Sequence, residues 1–316
     1  PLDPDVLFSD DPLRMMRACR FVAQLGFTVD PLVIDSMKRM VDRIEIISAE
    51  RVRDELTKLL MSDNPRLGLA LMVDTGLAAR VLPEIPQLKL EVDEHHHHKD
   101  VYEHTLTVLE QAIALENRLG GKNLTIRLAA LLHDIGKPKT RELIPGGGVS
   151  FHHHEVVGSR MTKERLRALR FDNETIKDVS QLVFLHLRFH GYAGGEWTDS
   201  AVRRYVRDAE HLLEHLHVLT RADCTTRNQR KAERLSATYD SLESRIAKLQ
   251  EEEELNSIRP DIDGNQIMQI LNIPASRLVG QAYNYLLELR LEHGPLGEER
   301  AIEELKKWFK ENGPKT

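Results

Sequence analysis

The sequence has few cysteines and no long apolar run, and each shortage excludes a class of protein. With only Cys19 and Cys224 among 316 residues, a disulfide-stabilised secreted domain is excluded and a reducing environment is expected. No segment approaches the roughly 18 consecutive apolar residues of a membrane-spanning helix, and nothing at the N-terminus resembles a signal peptide. The sequence therefore predicts a cytoplasmic protein that binds no membrane.

Aromatic residues make up only 5% of the chain, and the formal net charge is −6. Such a chain does not hold nucleic acid by bulk positive charge, and it does not suit an extended platform of stacking rings. A local basic face is still open, because one stretch is dense in cations. Those cations either contact phosphate or lie on solvated helix faces: Arg203, Arg204, Arg207, Arg221, Arg227, Arg230, Lys231 and Arg234.

Histidine, in contrast, is abundant and unevenly placed. The sequence has 15 histidines, and all except His293 lie between His95 and His217. Metal binding is the usual reason for such a concentration. The run His95–His98 is internal, so we interpret it as solvated sequence that can retain stray metal rather than as an expression tag.

The spacing of apolar residues predicts an all-α fold. The first helix starts near Leu13, with Asp10 or Asp11 as its N-cap, and ends at Gly26. Helical spacing then recurs to the end of the chain, and only residues 142–151, with one proline and three glycines, predict a hairpin.

Composition shifts predict three domains. Two prolines break the helical pattern shortly before residue 90, and four acids followed by a Pro/Asp/Gly segment break it again after residue 250. We expect a helical neck over residues 1–90, a helical bundle over 91–250 and a helical tail over 251–316.

The most specific motif is LLHDIGK, residues 131–137. His133 and Asp134 are adjacent, so they cannot share one face in the middle of a helix. Both can reach one ion if the helix ends there, as Gly136 and Pro138 indicate. The negative end of the helix dipole also favours a cation.

A divalent ion needs further ligands from other helices. The candidates are His104, His154, His186 and Asp223. Imidazole and carboxylate ligands together suit Mn, Ni, Co, Zn, Fe or Mg at a hydrolytic site better than a cysteine-based structural zinc site.

This constellation resembles the metal motif of the HD phosphohydrolase domain. The resemblance implies an all-α bundle and a divalent ion that activates water for attack on phosphorus. It also implies that His104, His133, Asp134 and Asp223 are the ligands, with catalytic roles for His133 and Asp134. By the same resemblance His154 and His186 bind a second metal or the phosphate, and Lys137 faces the phosphate.

Three further segments are similar to class II CCA-adding enzymes and bacterial poly(A) polymerases. Residues 10–27 resemble the neck helix of that family, residues 50–60 its next neck motif, and residues 263–296 its C-terminal segment. The resemblance covers most of the chain and implies tRNA, CTP and ATP as partners.

The neck motif also makes chemical sense. Cytosine and adenine present an exocyclic amine beside a bare ring nitrogen, which a carboxylate and a guanidinium together recognise. In the family an Asp/Arg pair reads the incoming base, and the matching residues are Asp11 and Arg14. The family usually has Glu where this chain has Asp10. Without the resemblance, a capping acid in a salt bridge on one helix is the simpler interpretation, and Arg51 and Glu55 are expected to brace the neck.

The family's catalytic carboxylates are not evident. Nucleotidyl transfer needs carboxylates that hold two metal ions, and the family supplies them from an N-terminal head with a Gly-rich turn. Asp3-Pro-Asp5 and Asp261-Ile-Asp263 have the spacing but neither the strand nor the turn. We therefore expect a neck, HD body and tail that belong to a longer nucleotidyltransferase whose head holds Mg.

Two other functions are left open. One is an HD-type phosphohydrolase or cyclic phosphodiesterase acting on nucleotides or RNA ends, which is compatible with the first. The other is a non-enzymatic RNA-binding or scaffolding module with a decayed metal site, against which the complete ligand set counts. The sequence does not distinguish CCA from poly(A) addition, one metal ion from two, or the oligomeric state.

Overall fold

The computed structural model describes residues 3–90, 101–144, 149–189, 192, 197–226, 228–253 and 258–313. The run His95–His98 lies outside these residues. The contacts divide the chain into two compact units, of which the first comprises Pro1–Leu187 with His211–Glu233 and the second Arg188–Glu210 with Arg234–Thr316. The expected domain limits near residues 90 and 250 stay predictions.

The first unit is helical apart from one two-stranded antiparallel hairpin, in which Glu142 pairs with Ser150 and Leu143 with Val149. Its helices, in chain order, are α1 Pro4–Asp10, α2 Leu13–Leu25, α3 Pro31–Met40, α4 Ala49–Leu60, α5 Pro65–Asp74, α6 Leu77–Val81, α7 Glu84–Gln87, α8 Val101–Ala114, α9 Leu124–Leu132, α10 Lys137–Thr140, α11 His154–Ala168, α12 Asn173–Leu185 and, after an excursion of the chain into the second unit, Leu213–Asp223. The strands are β1 Glu142–Leu143 and β2 Val149–Ser150. Short 3₁₀ turns occupy Val41–Ile46, Leu88–Leu90 and Glu116–Leu119. The predicted all-α class and the hairpin are confirmed.

Local chemistry explains where the neck helices begin and end. The side chains of Asp30 and Ser48 accept hydrogen bonds from the first turns of α3 and α4, as N-cap residues do. Gly26 ends α2 with a φ of 66°, which a residue without Cβ adopts at little cost.

The start of α2 differs from the prediction. Asp10 is the last residue of α1, a helix that the apolar spacing did not predict, and Asp11 follows it as the C-cap. Pro12 then stands at the N-cap position of α2 without a side-chain cap. The signal for α1 lies in Asp3-Pro4, because the Asp3 side chain caps the helix and proline suits its first turn.

The bundle that follows the neck is built around α9. This helix packs against α8, α12 and Leu213–Asp223, and all its residues from Ile126 to Leu132 are buried. Its C-terminal end therefore points into the middle of the bundle, which is where the HD motif begins.

The second unit is also helical. Its helices are α13 Asp199–Ala209, α15 Gln229–Glu253 (which starts in the first unit), α16 Gly264–Leu271, α17 Arg277–His293 and α18 Glu298–Asn312. The helix Leu213–Asp223 of the first unit, which lies between α13 and α15 in the chain, is numbered α14. Residues of α16, α17 and α18 form a small apolar core around Ile267, Leu286 and Leu305. Within the described residues, no helix is long and apolar enough to cross a membrane.

Candidate metal centre

The HD motif lies where α9 ends. The last helical residue is Leu132, and His133 is the C-cap, so the predicted helix end is confirmed. Both His133 and Asp134 are 1% exposed. Because the chain leaves the helix at this point, the two adjacent side chains reach the same interior space.

The structure brings all six predicted ligands together. They form two groups whose ligand atoms lie within 4.8 Å of one another, one of His104, His133 and Asp223 and the other of Asp134, His154 and His186. They come from five places in the chain: near the start of α8, after α9, the start of α11, the end of α12 and the end of α14.

Asp134 lies between the two groups. Its Oδ2 is 3.2 Å from Nε2 of His133 and 3.6 Å from Nε2 of His104. Its Oδ1 is 3.3 Å from Nε2 of His154 and 3.9 Å from Nε2 of His186. One carboxylate thus presents one oxygen to each set of imidazoles.

The opposite ring nitrogens fix the orientation of the histidines. Nδ1 of His133 donates to the carbonyl of Ala130 at 2.8 Å. In the same way, Nδ1 of His154 donates to Phe151 and Nδ1 of His186 to Val183, at 2.8 and 2.6 Å. A ring that donates from Nδ1 keeps the Nε2 lone pair for a cation, which is the usual arrangement of a metal-binding histidine.

Two glycines allow this close assembly. A Cβ on Gly136 would lie 2.2 Å from the carbonyl oxygen of His154 and 2.7 Å from the backbone nitrogen of Gly158. Only glycine tolerates that approach between the HD segment and α11. Gly136 and Gly158 therefore set the distance between Asp134 and His154.

The buried carboxylates of this site favour the binding of a cation. Burial alone raises the pKa of Asp134, but His133 and Lys137 outweigh it and hold that pKa well below its usual range. The pKa of Asp223 is lowered as well, with burial again opposed by His104 and His133. Both carboxylates are ionised at neutral pH, inside a bundle where an unbalanced charge is costly.

The histidines respond in opposite ways. Burial lowers the pKa of His133, but Asp134 and Asp223 reverse this effect and raise it to about 9. Burial and the neighbouring His133 lower the pKa of His186 to about 3, so this ring is uncharged at neutral pH and its Nε2 lone pair can bind a cation. A bound cation can take the place of the proton that His133 otherwise holds.

The chemistry of the site residues fits a divalent ion. Nε2 of His133 is fully buried and makes no well-aligned hydrogen bond within the described residues, although Oδ2 of Asp134 lies 3.2 Å away. A buried nitrogen without an aligned partner is rare unless a ligand binds it. The Nε2 atoms of His154 and His186 face each other at 3.3 Å. Imidazoles and carboxylates without cysteine suit Mn, Fe, Co, Ni or Zn.

Lys137 lies in the same cluster. Its Nζ is 2.9 Å from Oδ2 of Asp134, and its side chain is 10% exposed. The ammonium group thus adds a positive charge on the His104 and His133 side of the site. This position agrees with the predicted location of Lys137, while its contact with phosphate stays a prediction.

The predicted base-reading pair lies in the neck. The backbone nitrogen of Arg14 donates to the carbonyl of Asp11 at 3.0 Å, so the two residues share one turn. Asp11, however, precedes the helix, and its carboxylate contacts Arg51 at 3.4 Å rather than Arg14. Arg14 Nη1 donates to the carbonyl of Leu7 at 3.4 Å. The alternative of a salt bridge between Asp11 and Arg14 on one helix is therefore not observed. Asp11 instead contacts α4 through Arg51, and Arg14 contacts α1 through Leu7.

The two expected bracing residues behave differently. Glu55 is buried and pairs with Arg20 at 2.8 Å, which ties α4 to α2. Arg51 instead reaches the carboxylate of Asp11, so it contacts the predicted base-reading residue directly. The four-residue spacing of Arg51 and Glu55 gave no signal for this difference.

Three residues of the basic stretch form ion pairs with carboxylates. Arg203 is buried and forms two hydrogen bonds of 2.7 Å with Glu253. Arg204 and Arg207 both reach Glu288. These contacts support the solvated or structural interpretation of this stretch. Arg227 lies outside the described residues.

The two Asp-x-Asp pairs have structural roles. Asp3 and Asp263 are helix N-caps. Asp5 accepts hydrogen bonds from Ser36 and Arg39, and Asp261 accepts one from the backbone of Leu296. These contacts agree with the sequence argument that neither pair is a catalytic metal site.

Two family models match the chain. The model described as "Probable RNA and SrmB- binding site of polymerase A" matches residues 26–88, and the model of the HD domain matches residues 101–228. The matches cover the neck and the bundle that contains the metal centre.

Curated relatives match over most of the chain. The A-adding tRNA nucleotidyltransferase of Deinococcus radiodurans is 32% identical over 95% of this chain and 69% of its own length. The CC-adding tRNA nucleotidyltransferase of Thermus thermophilus is 31% identical over 92% of this chain and 65% of its own length. This chain thus spans about two thirds of these relatives.

Solved structures show the same fold. The CCA-adding enzyme of Bacillus stearothermophilus in complex with CTP superposes with a TM-score of 0.62 over 98% of this chain and 64% of that one, at 19% identity. The Thermotoga maritima CCA-adding enzyme complexed with tRNA superposes with a TM-score of 0.50 over 96% and 63%, at 14% identity. This chain therefore shares its fold with both structures.

Proposed function

Because the chain belongs to the CCA-adding and poly(A) polymerase family of tRNA nucleotidyltransferases, we propose that it forms the tRNA-binding and nucleotide-selecting part of such an enzyme. Two relatives are named A-adding and CC-adding tRNA nucleotidyltransferases, and a third is named a multifunctional CCA protein. By this proposal, the carboxylates that hold Mg for nucleotidyl transfer come from a further part of the enzyme, and this chain positions tRNA and chooses CTP or ATP.

Base selection is assigned to Asp11 and Arg14. The Asp11 carboxylate accepts a hydrogen bond from the exocyclic amine of cytosine or adenine, and the Arg14 guanidinium donates to the adjacent ring nitrogen. Uracil and guanine present a carbonyl and an N–H at those positions, so the same pair excludes them. The observation that supports this role is the contact of Arg51 with Asp11, which holds the carboxylate while its side chain stays 22% exposed.

The proposal is tested by comparing the binding of CTP, ATP, UTP and GTP to the chain by saturation-transfer NMR. We expect CTP and ATP to bind more tightly than UTP and GTP, and Arg14→Ala to abolish the difference. In parallel, a gel-shift titration with tRNA that lacks its 3′ end should show binding by both proteins. Equal binding of all four nucleotides, or no binding of tRNA, would contradict the proposal.

A second activity is proposed for the metal centre, as a phosphohydrolase or cyclic phosphodiesterase acting on nucleotides or RNA ends. The observation that favours it is the complete set of six buried or half-buried ligand side chains around Asp134. A bound divalent ion would polarise the phosphate and supply an activated water molecule. The chain itself would orient the ligand nitrogens through the carbonyls of Ala130, Phe151 and Val183, and Lys137 would offer positive charge to the phosphate.

We assign room for two ions to this centre. Asp134 directs Oδ2 towards His104 and His133 and Oδ1 towards His154 and His186, so this carboxylate would help to hold an ion in each group, as in two-metal hydrolytic sites. Hydrolysis of a cyclic phosphodiester by metal-loaded protein tests the activity. Asp134→Ala should abolish it without weakening tRNA binding, whereas Arg14→Ala should leave it unchanged.

A further inference from the structure

A small cavity in the second unit has an unusual lining for this chain. It has a volume of about 300 Å³ and is lined by Arg188, Trp197, Ala201, Arg204 and Tyr205. All five residues belong to the second unit, so the cavity is separate from the metal centre and from the neck. Its volume lies at the lower end of the range of small-molecule sites, about 300–1,000 Å³.

The cavity stands at the end of a continuous row of rings. The ring of Tyr239 stacks on Phe189 at 3.8 Å, and Phe189 contacts Tyr192 at 5.9 Å. Tyr192 then meets Trp197 at 5.2 Å, and Trp197 meets Tyr205 at 5.5 Å. The sequence has only two tryptophans, six tyrosines and eight phenylalanines, so five of its few rings are committed to this one place.

The indole of Trp197 is held from its backbone. Arg245 donates a hydrogen bond to the carbonyl of Trp197 and two more, of 2.6 and 3.1 Å, to the carboxylate of Asp199. The next residue, Thr198, caps α13. These bonds fix the backbone of Trp197, and edge contacts with Tyr192 and Tyr205 restrict its ring, which lowers the entropy that binding costs.

The two guanidinium groups that line the cavity, those of Arg188 and Arg204, are held by ion pairs. Arg188 pairs with Asp208 at 3.2 Å, and Arg204 pairs with Glu292 at 3.0 Å and Glu288 at 3.3 Å. Their side chains nevertheless stay 47% and 36% exposed. Because each charge is balanced, the cavity does not attract a free anion strongly. Fixed guanidinium planes do, however, offer surfaces on which a flat ring can stack.

The geometry points to a pocket for a single unstacked base of an RNA strand, which stacks on Trp197 and on the guanidinium planes of Arg188 and Arg204. The volume admits one base, and the lining supplies flat rings and hydrogen-bond donors without a strong net charge. The choice of RNA as the ligand rests on the proposed function. The pocket would add a contact to bound RNA that lies outside both the base-selecting neck and the metal centre.

The test uses tryptophan fluorescence, because the chain has only two tryptophans. In Trp308→Phe, which keeps a ring beside Tyr285, the emission comes from Trp197 alone. We expect saturable quenching by short oligoadenylate and oligocytidylate, and none by a matched abasic ribose-phosphate oligomer or by tripolyphosphate. Replacing Arg204 by Gln in this background should weaken the quenching affinity about tenfold, within the range of one base-stacking contact.

A companion variant provides the matched control. In Trp197→Phe the emission comes from Trp308, and it should not change with RNA. The inference is overturned if Trp197 does not respond to RNA, if the abasic oligomer or tripolyphosphate quenches equally, or if only a proline-rich peptide quenches it. A tRNA gel shift on the same samples separates the two claims: binding without quenching removes the pocket, while quenching without a tRNA shift removes the proposed function.

Discussion

Arg127 and Glu116 form a buried ion pair that links the neck to the metal centre. Two hydrogen bonds of 2.6 Å join the guanidinium to the two carboxylate oxygens. Nη1 of Arg127 also donates to the carbonyls of Leu60 and Ser62, at 2.5 and 2.6 Å, where α4 ends. Arg127 lies on α9, the helix that ends at His133, so the last turn of the neck helix and the helix of the HD motif share one side chain.

Replacing Arg127 by Met should therefore destabilise the first unit strongly. The change leaves the Glu116 carboxylate buried without its cation, with only the backbone nitrogen of Asn123 still donating to it, and frees two carbonyls. Such a loss costs about 3–5 kcal/mol in free energy of unfolding. Urea denaturation followed by circular dichroism measures it. Arg80→Met is the control, because Arg80 and Asp42 are both exposed and a pair of that kind contributes about 1 kcal/mol or less. Equal losses in the two variants would refute the structural role of Arg127.

The glycine contact beside the metal centre gives a second prediction. Gly136→Ala places a Cβ against the carbonyl of His154, so the HD segment and α11 must separate and Asp134 must move away from His154. We expect a loss of metal content and a destabilisation of about 1–3 kcal/mol, the usual range for overpacking.

Gly280 offers the matched control for that change. It lies inside α17, and a Cβ there meets no atom within 4 Å. Gly280→Ala should leave metal content unchanged and stabilise the chain by about 0.5–1 kcal/mol. Full metal binding by Gly136→Ala would show that the close approach does not matter to the site.

Nucleotide selection should depend on Arg51 as well as on Arg14. Arg51→Met removes one of the contacts that hold the Asp11 carboxylate, which also accepts a hydrogen bond from the backbone nitrogen of Leu13. The preference for CTP over UTP should therefore fall by roughly 5-fold, the effect of about 1 kcal/mol. Lys58→Met on the same helix removes an exposed cation that pairs with Glu55 and should leave the preference intact. The NMR comparison of nucleotides measures both, and an unchanged preference in Arg51→Met would argue against this positioning role.

The stability of the second unit should fall in acid. Glu253 accepts hydrogen bonds from Arg203 and Arg290, and these partners, Arg203 above all, lower its pKa below 4.5 although burial opposes them. A lowered carboxyl pKa contributes stability above pH 4.5, and that contribution is lost as the pH falls through the folded pKa.

Glu253→Gln should accordingly lower the free energy of unfolding by about 3 kcal/mol at pH 7 and make it less dependent on acid. Both tryptophans belong to the second unit, so their fluorescence in denaturant reports on this unit. Glu251→Gln is the control, because Glu251 is exposed on the same helix. An unchanged acid profile in Glu253→Gln would contradict the assignment.

The candidate ligands could be predicted from the sequence because residue type and local helical spacing indicate them. Histidine next to aspartate before Gly136 predicts both a helix end and a cation site, and the structure places His133 at that helix end. The remaining ligands follow from residue type and from the helical periods around them. None of this required knowledge of how the helices pack.

What could not be predicted depends on contacts between distant segments. The approach of Gly136 to Gly158 and the contact of Arg51 with Asp11 join residues that are 22 and 40 positions apart. The helix before Asp11 has a different origin, since it is only seven residues long and its sequence signal is confined to the capping residue Asp3 and the proline that follows it. The aromatic cavity arises from rings scattered over the second unit, which a composition of 5% aromatic residues does not suggest.

The most direct test of this account is the metal content of the protein by mass spectrometry, after loading with Mn or Ni and desalting. We predict about two ions per chain in the wild type and a loss of both in Asp134→Ala, because that carboxylate faces both groups of ligands. His152→Ala, which removes an exposed histidine two positions from His154, should retain the wild-type content. Equal metal in wild type and Asp134→Ala would place the ions on surface histidines and contradict the assignment of the centre.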